Sequence, residues 1–174
     1  MHGTSAHIGY STNGLRFFSG GEKQEHFVSL FDPEALASAF NTLGHSSVTV
    51  FGEAYGGRCQ GMKDTYGDQL KFVVFDVKIG ETWLSVPNAE NVAKKLGLEF
   101  VHYDLISGTT AEADRCRDQP STQAKRNGIL GDKMSEGVVL RPLAEFIKAN
   151  GQRVISKHKR AEFRETRTPR DVDA

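Results

Sequence analysis

No apolar run in this chain approaches the roughly 20 residues that cross a bilayer, so a transmembrane helix and a membrane partner are not expected. The opening residues Met1-His2-Gly3-Thr4-Ser5 show neither a basic stretch nor an apolar one, which argues against a signal peptide. Cysteine is scarce. Cys59 and Cys116 stand far apart without a CxxC partner, and free thiols in a reducing cytoplasm are the expectation. None of the six histidines sits at metal-ligand spacing from these cysteines, which argues against a zinc site. A net charge is also lacking: 22 basic and 22 acidic side chains cancel, so no global field points to nucleic acid. There is no internal repeat and no low-complexity tract.

What remains is an ordinary soluble composition in 174 residues, enough for one domain with a real core. Two Asn-Gly dipeptides lie between strand-like runs and predict hairpins. Asn13-Gly14 separates residues 6–10 from 15–18, and Asn150-Gly151 separates 145–149 from 152–156. A helix is predicted over 33–43, with Asp32 as cap, Pro33 in the first turn, Leu36, Phe40 and Leu43 on one face, and Gly44 as stop. A second is predicted over 89–96 before Gly97, followed by a strand at 98–103. Further strands are predicted at 48–55, 70–79 and 136–141, with Trp83 on a return strand after Gly80. The near-continuous apolar run at 70–79 suggests a strand covered on both faces. Residues 106–135 carry a weak pattern, and a loop with one short helix is expected there. Many hairpins and few helices give an α+β class built on antiparallel sheet.

Several segments place chemistry in this frame. Phe51-Gly52-Glu53-Ala54-Tyr55-Gly56-Gly57 puts a carboxylate near a strand end beside glycines that admit a ligand close to the backbone. Within Phe72-Val73-Val74-Phe75-Asp76-Val77, Asp76 is an acid inside an apolar strand and requires a partner, while alternation turns Phe75 to the opposite face. Ser135-Glu136-Gly137-Val138-Val139-Leu140 sets Glu136 at a strand mouth, where it could hold a hydrated Mg²⁺. Lys157 and Lys159 in Ser156-Lys157-His158-Lys159 face the same way on a strand, an arrangement that favours an anion between them. Between residues 152 and 170, Arg153, Lys157, Lys159, Arg160, Arg164, Arg167 and Arg170 outnumber Glu162 and Glu165, a basic stripe that could meet phosphates. Each segment alone has an ordinary structural reading: a turn, a core ring, a solvated strand end, a lysine-guarded edge or a solvated tail.

Together and in this order the segments resemble the signature motifs of covalent nucleotidyltransferases, specifically ATP-dependent RNA ligases of the phage nick-sealing type. That family opens with a lysine, any residue, His-Gly-Thr, then Ser or Asn, and Met1-His2-Gly3-Thr4-Ser5 matches from the second position onward. The later motifs match 51–57, 72–77, 135–140 and 155–159, so the resemblance runs nearly end to end. It implies a nucleotidyltransferase (ATP-grasp-like) domain of antiparallel sheets flanked by helices, with a nucleotide cleft between them. It implies ATP (AMP) and Mg²⁺ or Mn²⁺ as cofactors, and nicked or single-stranded RNA ends as partners in RNA repair or editing. The reaction runs through lysyl-AMP and RNA-adenylate to a sealed strand. Transferred residue by residue, Glu53 holds the ribose, Phe75 stacks on adenine, and His2, Gly3, Thr4 and Ser5 line the pocket. Glu136 organises the metal, Lys157 and Lys159 meet the α-phosphate, and Arg16, by a looser match, touches phosphate.

The motif's lysine would stand immediately before Met1, so this polypeptide is expected not to form lysyl-AMP. The domain is expected to be incomplete at both ends, with nothing like the family's C-terminal accessory domain. Activity on pre-adenylylated RNA, which bypasses lysyl-AMP, stays open. So do a non-catalytic nucleotide- or RNA-binding remnant and a DNA ligase or capping guanylyltransferase. His2, where DNA ligases usually show Asp, speaks against the last pair. A cytoplasm, including that of a phage-infected host, is the expected compartment.

Overall fold

The computed structural model describes residues 1–163. Arg164, Arg167 and Arg170 of the basic stripe lie outside them, as do the other residues of 164–174. Strands β1 (Thr4–Ser11), β2 (Gly14–Ser19), β3 (Ser47–Gly56), β4 (Leu70–Ile79) and β5 (Thr82–Trp83) form one antiparallel sheet in the order β2-β1-β3-β4-β5. Alternation sends Ala6, Ile8, Val48, Val50, Phe72 and Val74 to one face. Three helices cover that face: α1 (Gln24–Val28), α2 (Pro33–Thr42) and α4 (Val86–Lys95). They contribute Phe27, Leu36, Phe40, Ala89 and Ala93 to the same core. Asp32 caps α2 as predicted, its carboxylate accepting from the N–H groups of Glu34 and Ala35 at 3.1 Å each. Burial of such rings and branched chains contributes about 1.5–3 kcal/mol each, so this face carries most of the fold's stability.

The other face is organised by a bulge. Phe51 pairs with Asp76 but Gly52 pairs with Val74, leaving Phe75 without a cross-strand partner. Val74 and Val77, three residues apart, therefore both enter the core, and Phe75 and Asp76 are both excluded from it. The strict alternation expected at Phe75 and Asp76 is broken for this reason. Nearby, α3 (Lys63–Tyr66) and α6 (Thr122–Arg126) help bury Tyr55, Tyr66, Val73 and Ala124 as a second, smaller cluster. The strand β4 is thus covered on both sides around Val73, while Phe75 stays 37% exposed.

A second sheet pairs β6 (Gly137–Leu140) with β7 (Ser156–Lys159). The stretch 106–135 holds two helices rather than one: α5 (Thr110–Arg117) and α6. Thr109 and Ser121 cap them, accepting from the N–H groups of Glu112 and Ala124. The strand predicted at 98–103 reduces to one parallel bridge, Val74 to Phe100, because this segment meets the β4 edge only there. Similarly, the Asn150-Gly151 hairpin closes its turn but forms one bridge, Ile147 to Arg153, in place of two strands. Among the described residues, no helix is long and apolar enough to cross a membrane.

Candidate active site

The glycine after His2 brings β1 against β3. A Cβ on Gly3 would lie 2.3 Å from the Ala54 carbonyl oxygen and 2.9 Å from Glu53 Cγ, so only glycine fits. That contact lets the Gly3 N–H donate to Glu53 Oε1 at 2.9 Å. Glu53 also stands opposite Ser5 in the β1–β3 register. Burial raises the Glu53 carboxyl pKa, and the Gly3 N–H pulls it partly back. Glu136 is close enough to raise it further.

Glu136 is where the segment before β1 meets β7. Its side chain is 12% exposed, with Lys159 Nζ at 2.9 Å, His2 Nδ1 at 3.6 Å and the Met1 backbone nitrogen at 3.7 Å. The backbone supports this convergence, because Gly137 pairs with Lys159 and the Arg160 N–H donates to the Glu136 carbonyl. Gly137 has φ +146, and a Cβ there would lie 2.2 Å from the His158 carbonyl oxygen. The loop can turn into β6 beside β7 only with glycine at this position.

Register also settles the two lysines. Lys157 lies opposite Val139 and Lys159 opposite Gly137, so both share one face of the second sheet. His158 turns to the other face, where its ring lies 2.7 Å from Asp114 of α5 and 3.2 Å from Arg117. Lys157 is exposed, whereas Lys159 meets the Glu136 carboxylate. His2 donates its backbone N–H to the Tyr66 hydroxyl at 3.2 Å.

The structure thus gathers His2, Gly3, Glu53, Glu136 and Lys159 into one cluster, with Ser5 beside Glu53 and Lys157 one register step from Lys159. Thr4 is buried on the opposite face from Ser5, beneath Gly20 and Gly21. Phe75 lies at the bulge, and Arg16 is exposed on β2 opposite Gly9. Two surface cavities of about 530 and 610 Å³ lie elsewhere, one lined by Leu30, Leu36 and Leu98, the other by Lys23, Arg58 and Gln69. None of the predicted site residues lines either cavity.

Comparison with known proteins decides the family. The RNA ligase family profile matches residues 1–159. The chain belongs to the RNA ligase family. Its nucleotidyltransferase-type fold, a mainly antiparallel sheet flanked by helices, agrees with solved members. The RNA ligase of Naegleria gruberi with pyrophosphate superposes with a TM-score of 0.62 at 18% identity, covering 90% of this chain and 46% of that one. A mutant of that enzyme with AMP and Mn gives 0.63 at 19% identity, covering 91% and 47%. Another mutant, with ATP and Mn, gives 0.65 at 17%, covering 94% and 48%. This RNA ligase-family chain therefore spans just under half the length of the solved ligases it matches. A search of curated proteins finds no match.

Two features around this candidate site escaped sequence reasoning. Val139 is 58% exposed on the face that carries the lysines, an apolar side chain presented where solvent would otherwise be. Asp76, read as needing a partner, has two, Arg141 and Arg153, both distant in sequence. Arg153 also pairs with Glu145. Burial opposes the Arg153 charge, yet hydrogen bonds to the Glu145 and Asp76 carboxylates raise its pKa on balance. The same contact with Arg153 lowers the Glu145 carboxyl pKa. A buried acid inside a strand signals that partners exist; nothing local says which.

Proposed function

We propose that this chain is the nucleotidyltransferase core of an ATP-dependent RNA ligase, joining RNA 3′-hydroxyl and 5′-phosphate ends through lysyl-AMP and RNA-adenylate. One observation supports the reading most: the pair formed by Glu136, just before β6, and Lys159 of β7 meets His2, just before β1, with Glu53 tied to Gly3 beside it. The lysine of the opening motif is not among these 174 residues.

In the sealing step the 3′-oxygen attacks the phosphorus of the RNA-adenylate, the phosphoanhydride bond breaks, and AMP leaves. Lys157 and Lys159 offset the charge that develops on the phosphate oxygens. Glu53 holds the ribose, Phe75 stacks on the adenine, and His2, Gly3 and Ser5 bind around the nucleotide; Thr4, buried on the core face, has no such role. The described residues contain no group of three or more His, Cys, Asp or Glu side chains able to cage an ion. This donor set suits Mg²⁺ or Mn²⁺ held by Glu136, with water and substrate phosphates completing the shell. The bound ion would supply charge neutralisation at the phosphates. Structures of the Naegleria enzyme with ATP, AMP and Mn support these cofactors.

The test uses RNA already carrying a 5′-adenylate, with Mg²⁺ or Mn²⁺ added. Sealing is expected, with Lys159→Ala and Glu136→Gln each slowing it on the order of 100-fold. Incubation of the 174-residue polypeptide with labelled ATP is expected to give no protein-bound label. Sealing that is indifferent to both substitutions would overturn the assignment. Nucleotide or RNA binding without any sealing would point to a non-catalytic remnant.

A further inference from the structure

The face of the main sheet turned away from its core carries a row of aromatic side chains that the site above does not use. Phe18 on β2, His7 on β1 and Phe51 on β3 are direct cross-strand partners. The His7 ring stacks on Phe18 with centroids 4.7 Å apart and planes 20° apart, and lies 5.5 Å from Phe51. Phe51 in turn lies 5.1 Å from Trp83, and the Arg153 guanidinium closes that end, 4.0 Å from the indole centroid. At the other end Phe18 is 47% exposed. This row lies two residues along the strands from Ser5 and Glu53, roughly 7 Å from the assigned ribose site.

The next row on the same face is basic and low. Arg16 faces Gly9, Gly9 faces Thr49, and Thr49 faces Lys78. Arg16 is exposed and pairs with no acidic side chain among the described residues. Lys78 pairs with Glu81, which is itself 95% exposed and readily displaced. A Cβ on Gly9 would meet only Thr49 Oγ1, at 3.8 Å, so packing does not demand glycine; its effect is a flat floor between the two cations. Burial lowers the His7 pKa, so at neutral pH the ring stacks uncharged and does not compete with Arg16 for phosphate.

We infer that the Phe18–His7–Phe51 row is a stacking platform for unpaired bases of an RNA strand whose end enters the Ser5–Glu53 site, with Arg16 and Lys78 on its phosphates. Rings supply sequence-independent stacking and the neighbouring cations supply backbone attraction, a combination suited to single strands. The choice of RNA rests on the ligase reading; the platform itself rests on the aromatic row.

The experiment measures anisotropy of a dye-labelled 12-nucleotide single-stranded RNA on the whole chain, alongside ATP binding by calorimetry. Circular dichroism confirms the fold of each variant, and sedimentation gives its oligomeric state. Phe18→Ala is expected to weaken RNA binding roughly tenfold, and Phe18→Trp to restore it, while ATP affinity stays within about twofold. Arg16→Ala is expected to reduce the slope of log Kd against log salt by about one. Equal RNA affinity in wild type and Phe18→Ala overturns the platform. ATP binding without RNA binding overturns the platform and leaves the nucleotide site standing, whereas loss of both overturns the ligase reading as well. A dimer that Phe18→Ala abolishes, with no RNA binding, overturns the platform in favour of a self-interface.

Discussion

The two sheets are held in place by different physics. The five-stranded sheet is fastened to α1, α2 and α4 by fully buried apolar side chains such as Ile8, Phe27, Phe40 and Val50. The β6–β7 pair and the loop between them leave Val139, Leu143 and Phe146 58%, 58% and 59% exposed. Ionic and polar contacts link this region to the rest: Arg141 and Arg153 to Asp76, Lys159 and His2 to Glu136, and His158 to Asp114. Apolar burial is non-directional and spread over many atoms, whereas an ion-pair clasp depends on a few oriented groups. The assigned site lies where the two regimes meet. A rigid floor then carries Glu53, and a charge-held roof carries Glu136, Lys157 and Lys159.

The largest effect should come from the apolar side. Phe40→Ala removes a fully buried ring and is expected to lower unfolding free energy by about 3–5 kcal/mol, read from urea titration by circular dichroism. Both sheets should lose structure together. Next, Arg153→Met deprives Glu145 and Asp76 of a shared partner, with an expected loss of about 3 kcal/mol. Here the contrast sharpens: amide exchange should accelerate in β6, β7 and residues 141–155 while β1 and β3 keep their protection. Equal acceleration in both regions would erase the distinction between floor and roof.

Gly137→Ala should have a smaller effect, about 1–3 kcal/mol, because its Cβ meets the His158 carbonyl oxygen at an unfavourable φ. Weakened Gly137–Lys159 pairing should displace Lys159 from Glu136 and slow sealing of adenylylated RNA more than it lowers Tm. Glu53→Gln should have the smallest effect on stability, and of opposite sign. The raised Glu53 pKa means the fold disfavours the anion. Its contribution to stability is therefore fully present below the ordinary glutamate value of 4.5 and is lost as pH rises through the raised value. At pH 7 Glu53→Gln should be at least as stable as wild type while binding ATP more weakly, as calorimetry would show. A variant less stable at pH 7 would mean the carboxylate is structural rather than kept for a ligand.

Legibility from sequence follows the same division. Asp32, Pro33 and the Leu36–Phe40 spacing specify α2 locally, and the apolar run at Leu70–Ile79 delimits β4. Asn13-Gly14 gives the β1–β2 hairpin because the turn and both strands agree. Asn150-Gly151 gives a turn and one bridge, with Arg153 and Glu145 paired across it through their side chains. The helix α5 was hidden because its sequence, TAEADRCR, buries little beyond Ala113 and offers no apolar stripe. The bulge at Phe75 was hidden for a different reason, as nothing in Phe-Val-Val-Phe-Asp-Val marks the residue left unpaired by β3.

The sequence by itself determined the family, the antiparallel frame and the identity of the charged residues, because motif order, strand period and turn chemistry are local properties of the chain. Tertiary structure alone decided that Glu136 closes on Lys159 and His2, that Asp76 is shared by Arg141 and Arg153, and that Phe18, His7 and Phe51 line up across three strands. Those pairings depend on strand register and on contacts between residues far apart in the chain, His2 meeting Glu136 134 positions away. Charge and ring contacts at such separations are set by how the sheets come together, and no local pattern encodes that.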